Sequence, residues 1–357
     1  LEFRRVLFRS LPRIIHRAAK TALAPPAGPV FISLPGSVLD DTASVDRGTP
    51  TRIDANVRPT DEALQTVARK ILAARNPAII AGKELADHDA FAEAQAFAEL
   101  VGAAVYLEPV PYNARFPSEH IANMGDLTRS QPKVRQTLER HDLIVCLGAD
   151  LLRMSPFSSV DPLPPAVAVV HITDRAAELG KNYATDVALC ANVKATLQAL
   201  LPVLRGMQSE AHAQEARHRL EQLATRNWSA QRAHARAEAQ QSAATKPIDP
   251  RYLMACLADS LPANAIVVEE ALTAVPAFNA LVSVRDAAGF YGLASGGLGF
   301  ALAGAIGISL ARPGRPVVAA VGDGSAMYSV QALWTAAHLK LPVTYVIVNN
   351  RGYRIIK

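Results

Sequence analysis

The sequence predicts an α/β protein built on doubly wound parallel sheets, and three observations carry that expectation. Short, continuously apolar runs such as AII at 78–80, LIVCL at 143–147 and VTYVIV at 343–348 read as strands buried on both faces. Segments of helical periodicity alternate with them, which implies parallel strands with helices on both sides. The chain has 357 residues, 50% of them apolar and 19% charged. That is length for about two domains and enough apolar material for sizeable cores.

Taken in order, LEFRRVLFRS at 1–10 mixes Arg with large apolar residues at no clean period. It has no signal-peptide layout and reads as translated vector or adaptor sequence outside the fold. RIIHRAAKTAL at 13–23 predicts a helix, APPAG a break, and PVFISLP at 29–35 a short strand. This unit, 11–41, is too small to stand alone and reads as the end of a domain. Residues 42–60 are polar, with Pro, Gly and Asp, and read as a linker.

From Thr60, an N-cap followed by two acids, a helix runs to about Ala74. PAIIAG then predicts a strand, DHDAFAEAQAFAELVG a helix stopped by Gly102, and AAVYLEP a strand. VRQTLERHD reads as helix, LIVCLGA and AVAVVHIT as strands, and VKATLQALLPVL as the helix closing a unit over 60–203. Residues 204–246 are rich in Ala, Gln, Arg and Glu and predict a mostly solvated helical linker. From 247 the alternation resumes: a helix over 250–260, the strand AIVVEE, a Gly-rich turn and an apolar helix at 298–311. The strand RPVVAAVG, a helix over 328–339 and the strand PVTYVIVNN follow. The chain stops seven residues past the Asn pair, so both ends read as cut.

Composition excludes several classes. The net charge is +5, from 37 basic and 32 acidic residues, and it is scattered, without the concentrated footprint that nucleic acid requires. The uncharged stretch 287–311 has the length of a membrane span. Its first half is crowded with Gly, which suits a turn, and its second half reads as a helix apolar all round and buried in a core. Three cysteines and no targeting segment predict a cytoplasmic protein. Cys146, Cys190 and Cys256 each stand in apolar sequence and are expected to be inert packing.

The chemistry concentrates in Gly322-Asp323-Gly324-Ser325 and Asn349-Asn350, each at the carboxyl end of a predicted strand. In an open α/β sheet such turns share one edge, where ligands bind. A carboxylate and an amide oxygen from adjacent strands can share one hard cation, and backbone N–H groups at Gly324 and Ser325 suit phosphate oxygens. GDG alone is a common turn. GDGS followed by a helix, an apolar strand and NN is far more specific.

The segment GDGSAMYSVQALWTAAHLKLPVTYVIVNN resembles the cofactor signature of the thiamine-diphosphate-dependent decarboxylases and synthases. NPAIIAG, FPSEH and HDLIVCLGADLLR extend the resemblance, which is closest to benzoylformate decarboxylases and next to acetolactate synthases. It implies a thiamine-diphosphate-binding fold. Residues 11–41 would be the remnant of the pyrimidine-binding domain, 60–203 a Rossmann-like central domain, and 247–357 the diphosphate-binding domain. The cofactors implied are thiamine diphosphate and Mg2+. Asp323 and Asn350 would ligate the metal by side chain and Gly352 by its carbonyl. Gly322, Gly324, Ser325 and Thr273 would meet the diphosphate, although Leu272 stands where the decarboxylases often carry a hydroxyl. The Gly296 carbonyl would accept from the aminopyrimidine, Leu298 would bend the cofactor, and Tyr353 would close over it.

The implied reaction is decarboxylation of a 2-oxo acid, or carboligation, with the cofactor as electron sink. The resemblance places the activating glutamate upstream of residue 12, and the site between two chains of a homodimer or homotetramer. The chain is thus expected to hold the metal–diphosphate half-site and to be inactive alone. Benzoylformate decarboxylases carry a catalytic His after a match to LGADLLR, where this sequence has Met154-Ser155-Pro156. His120 and His338 are expected to be structural, and His141 to cap helix carbonyls. Two other readings remain open. One is an acetolactate synthase, a group that often holds FAD in the central domain. The other is a non-catalytic cofactor-binding subunit.

Overall fold

The computed structural model describes residues 10–40, 42, 44, 48–110, 112–154, 157–294 and 296–352. Residues 1–9, Ser155, Pro156 and Tyr353 therefore lie outside the described residues. Two parallel sheets organise the chain. The first comprises β1 (Pro77–Ala81), β2 (Ala104–Leu107), β3 (Asn123–Asp126), β4 (Leu143–Leu147), β5 (Ala168–Thr173) and β6 (Val187–Cys190). Their order is β3-β2-β1-β4-β5-β6, the doubly wound order whose direction reverses between β1 and β4. The second comprises β7 (Ile266–Glu270), β8 (Phe290–Gly292), β9 (Val317–Gly322) and β10 (Val343–Val348), in the order β10-β9-β7-β8.

Local sequence explains most boundaries. The Thr60 hydroxyl accepts from Ala63 N at 3.3 Å and opens helix Asp61–Ala73. Gly102, at φ +60°, ends helix Phe91–Val101. Every residue of β1 and β4 is buried, as expected for central strands covered on both faces. Helices Asp61–Ala73, Phe91–Val101 and Val193–Met207 supply Leu64, Phe97 and Leu197 to one face of the first sheet.

Several expectations are corrected. PVFISLP forms no strand: residues 30–35 are irregular and Phe31 is 84% exposed. β propensity does not make a strand without a neighbour to pair with. The segment DHDAFAEAQAFAELV divides, because Asp89 takes φ +50° between two helices, Glu84–Asp87 and Phe91–Val101. The segment expected to be a mostly solvated helical linker is two helices, Glu210–Ala224 and Trp228–Gln241, largely exposed but anchored at a few points. Trp228 is buried and donates from Nε1 to Asn279 O at 2.8 Å, and Arg232 Nε donates to Leu281 O at 2.8 Å. Helix Phe300–Ala311 is buried on one face only, since Leu310 is 57% exposed. Cys146 is buried, but Cys190 and Cys256 are exposed.

A strap from the first sheet reaches the second. Tyr112 O accepts from Gly292 N at 2.9 Å, and Ala114 N donates to Phe290 O at 3.1 Å. Asn113 forms an antiparallel bridge with Tyr291. The strap thereby covers β8, the edge strand that leads into the Gly-rich turn. Among the described residues no helix is long and apolar enough to cross a membrane.

Candidate functional site

The carboxyl ends of β7, β9 and β10 meet in one cleft. In register, Val348 lies opposite Gly322 and Val321 opposite Glu270. The residues that follow these strands therefore emerge side by side, which brings Asp323 and Asn350 together. Thr273, Leu298, Gly322, Asp323, Gly324, Ser325, Asn350 and Gly352 all line a cleft of about 370 Å³, measured with its open mouth. Leu272 lines it too and puts an apolar residue beside Thr273. Gly296 lies outside this lining, on the turn before Leu298, at φ +76°.

Turn chemistry holds the cleft open. Gly322 is extended and caps the short helix Asp323–Ala326, whose Ser325 is buried. Asn349 Oδ1 accepts from Arg351 N at 2.9 Å, and Asn350 Oδ1 from Gly352 N at 3.1 Å. Each Asn folds the chain back two residues on, a turn that Asn side chains favour. Asn350 Nδ2 donates to Thr273 Oγ1 at 3.2 Å and ties the β10 turn to the β7 turn. Among the described residues, the half-buried Asp323 carboxylate makes no hydrogen bond or ion pair.

Sequence reasoning missed Glu270. It lines the cleft and is fully buried, and its two carboxylate oxygens accept from Gly299 N at 2.6 Å and Ala301 N at 2.7 Å. This carboxylate satisfies the open N-terminus of helix Phe300–Ala311 and complements its dipole, which fixes the turn bearing Leu298. A strand that ends in two acids, IVVEE, was the available signal. Strand alternation sends Glu269 to the opposite face, where it is 5% exposed and accepts from Ala271 N at 2.6 Å. Burial, with the Glu270 charge next to it, pushes the Glu269 carboxyl up to about 7.

Gly299 completes the turn at φ +97°. A Cβ there would stand 2.7 Å from Tyr328 Cβ, and Ser329 Oγ donates to Gly299 O at 2.6 Å. The turn after β8 thus packs directly on the segment that follows GDGS.

The matching edge of the first sheet is filled by its own side chains. Glu84, after β1, is buried. It accepts from Thr173 Oγ1 at 2.5 Å, Arg175 Nε at 2.7 Å and Asp174 N at 3.1 Å. Arg175 also pairs with Asp150 at 2.5 Å. Glu108 accepts from Lys83 N at 3.0 Å and Asp150 N at 3.2 Å, and burial, its largest influence, raises its carboxyl to about 7. A Cβ at Gly148 would overlap the Cβ of Glu84, so the loops after β1 and β4 interlock at the reversal point.

His120, His338 and His141 lie outside the cleft lining. His120 Nε2 lies 3.1 Å from Glu99 Oε1, and its ring packs edge-on to Phe116. His338 stacks on Trp334 at 4.8 Å. His141 caps no carbonyl of its own helix. It bonds Asn76 O at 3.0 Å and the Tyr106 hydroxyl at 3.1 Å, because its ring points into the sheet.

Comparison with known proteins agrees with this architecture. Residues 64–200 match the thiamine pyrophosphate enzyme central domain, and residues 273–357 the C-terminal TPP binding domain of the same enzymes. The chain is 29% identical over 354 residues to benzoylformate decarboxylase of Pseudomonas aeruginosa, covering 98% of this chain and 62% of that protein. It is 27% identical over 366 residues to acetolactate synthase of Mycobacterium bovis, covering 97% and 56%. The crystal structure of benzoylformate decarboxylase from Polynucleobacter necessarius superposes with a TM-score of 0.82 at 26% identity, over 99% of this chain and 64% of that one. The chain thus spans about three-fifths of the length of these relatives. With both domain matches in sequence order on the two parallel sheets, the chain belongs to the thiamine pyrophosphate enzymes.

Proposed function

We propose that this chain carries the metal–diphosphate half of a thiamine-diphosphate-dependent decarboxylase of the benzoylformate decarboxylase type, acting on a small 2-oxo acid. The observation that supports it best is the single cleft that gathers Asp323, Asn350 and Gly352 with Thr273, Ser325 and Leu298. The donor set fits the cofactor. A carboxylate, an amide oxygen and a main-chain carbonyl are the hard oxygen ligands that Mg2+ takes, with its remaining positions left to water and phosphate. Thiamine diphosphate, when bound, supplies the electron sink for the carbanion left by loss of carbon dioxide.

The chain's own residues bind and orient. Asp323 and Asn350 hold the cation, while Thr273, Gly324 and Ser325 face the diphosphate. Glu270 pins the turn that presents Leu298, the apolar side chain that would support the cofactor in the cleft. Gly296 and Tyr353 complete the assignment by resemblance, through a main-chain carbonyl and a covering ring. Met327, Tyr328 and Trp334, at 71%, 61% and 69% exposure in the segment that follows Ser325, support a homodimer or homotetramer in which a second chain covers these residues.

Calorimetric titration of the chain with thiamine diphosphate, with and without Mg2+, tests the reading. Saturable, Mg2+-dependent binding is expected, and binding indifferent to Mg2+ would sink the metal assignment. An acetolactate synthase would need room for a flavin in its central domain. Glu84, Glu108, Asp150 and Arg175 occupy the β1/β4 reversal point, where α/β sheets take dinucleotides. The purified protein should therefore be colourless. A bound flavin absorbance band would favour the synthase.

A further inference from the structure

A second cleft, of about 870 Å³ with its open mouth, lies between β2, β3, helix Gln131–Leu138 and the start of helix Trp228–Gln241. Lys133 and Arg140, on and just after helix Gln131–Leu138, line it together with Arg226, which precedes helix Trp228–Gln241. Among the described residues, none of the three side chains makes a hydrogen bond or an ion pair. Asp126 is the carboxylate in the lining, and it is already held by Arg115 at 2.5 Å. The Tyr106 hydroxyl at the cleft wall is occupied by His141 at 3.1 Å.

Three cations that converge without a counter-charge repel one another. Other partly exposed basic side chains of this chain do find acids: Arg236 pairs with Asp259 at 2.6 Å and Lys70 with Asp186 at 3.0 Å. A concave wall carrying unpaired charge of one sign focuses potential and concentrates the opposite charge. Two guanidinium forks and an ammonium match the oxygens of a phosphate ester or a diphosphate.

We propose that this cleft is a binding site for a multiply charged phosphate-bearing small molecule, separate from the cofactor cleft. A ligand there bridges the first sheet to helix Trp228–Gln241. That helix is hydrogen-bonded through Trp228 and Arg232 to helix Val275–Leu281, just beyond Thr273.

Inorganic pyrophosphate is the probe, titrated in the presence of a chelator so that the metal-dependent cofactor cleft stays out of play. Trp228 and Trp334 are the only tryptophans, so a Trp334→Phe background leaves Trp228, two residues from Arg226, as the sole indole reporter. A saturable fluorescence change is expected that weakens with added salt. The added pair Arg140→Ala and Arg226→Ala should raise the dissociation constant at least about tenfold, the cost of removing charge-assisted bonds. Both arginines are exposed, so the thermal midpoint should not move. Either no saturable response in the parent, or the same affinity in the double-arginine variant, would overturn the site.

Discussion

The side-chain amide of Asn350 donates to the hydroxyl of Thr273 across 3.2 Å, joining two turns 77 positions apart in sequence. The bond leaves Asn350 Oδ1 directed to its own turn, where it accepts from Gly352 N at 3.1 Å. One side chain therefore sets the positions of the proposed metal ligands at 350 and 352. Asn350→Ala should weaken Mg2+-dependent thiamine diphosphate binding by about tenfold or more, since both the ligand and the turn are lost. Thr273→Val should cost less. Asp323→Ala, which removes the only full charge from the donor set, should abolish the metal dependence. Titration calorimetry at fixed Mg2+ reads all three, and unchanged affinity in Asp323→Ala would refute the assignment.

Glu270 should matter first to stability and through it to the site. It is fully buried and satisfies two N–H groups of the helix that begins at Phe300. Glu270→Ala strands both donors away from water, at about 1–3 kcal/mol each. Denaturant unfolding should show a loss within that range or its double. A variant as stable as the parent would mean that the helix end finds other partners.

Gly299 and Gly307 make opposite predictions for the same substitution. Gly299 has φ +97°, and a Cβ would press on Tyr328. Gly299→Ala should cost about 1–3 kcal/mol and displace the neighbouring Leu298 from the cleft, lowering cofactor affinity. Gly307 lies inside helix Phe300–Ala311 with open space around it. Gly307→Ala should be neutral or stabilise by about 0.5–1 kcal/mol. Thermal unfolding of the pair separates backbone strain from a general effect of added methyl groups.

Much of this geometry was legible because it is local or follows from strand succession. GDGS and NN close consecutive parallel strands, so their spacing implies contact, and the register of Val348 against Gly322 bears this out. The helix starting after Thr60 and the stop at Gly102 follow from capping chemistry alone. What was not legible depends on partners distant in sequence. PVFISLP has strand chemistry but lies exposed. β3 and β6, Asn123–Asp126 and Val187–Cys190, are four-residue edge strands, too short to show a period, and exist because β2 and β5 recruit them. Helix Phe300–Ala311 is apolar all round, and sequence cannot say which of its faces the chain itself covers. Glu270 and Glu84 read as ordinary acids until the fold presents them with stranded N–H groups and a guanidinium.

Glu269 gives the stability curve a defined slope. The unfolded carboxyl ionises near its ordinary value of 4.5, whereas burial beside Glu270 raises the folded one to about 7. Between those values the folded chain holds more of this proton than the unfolded chain. The contribution of Glu269 to stability is therefore greatest below about 4.5, falls as pH rises through the interval, and levels off above about 7. The full difference is of the order of 3 kcal/mol. Glu269→Gln keeps an oxygen to accept from Ala271 N, a bond of 2.6 Å in the parent, and removes the charge. Denaturant unfolding across this range should show the variant gaining on the parent as pH rises, with the gap constant above about 7. Parallel curves would mean that Glu269 ionises in the fold as it does in water, and that its burial is relieved by solvent.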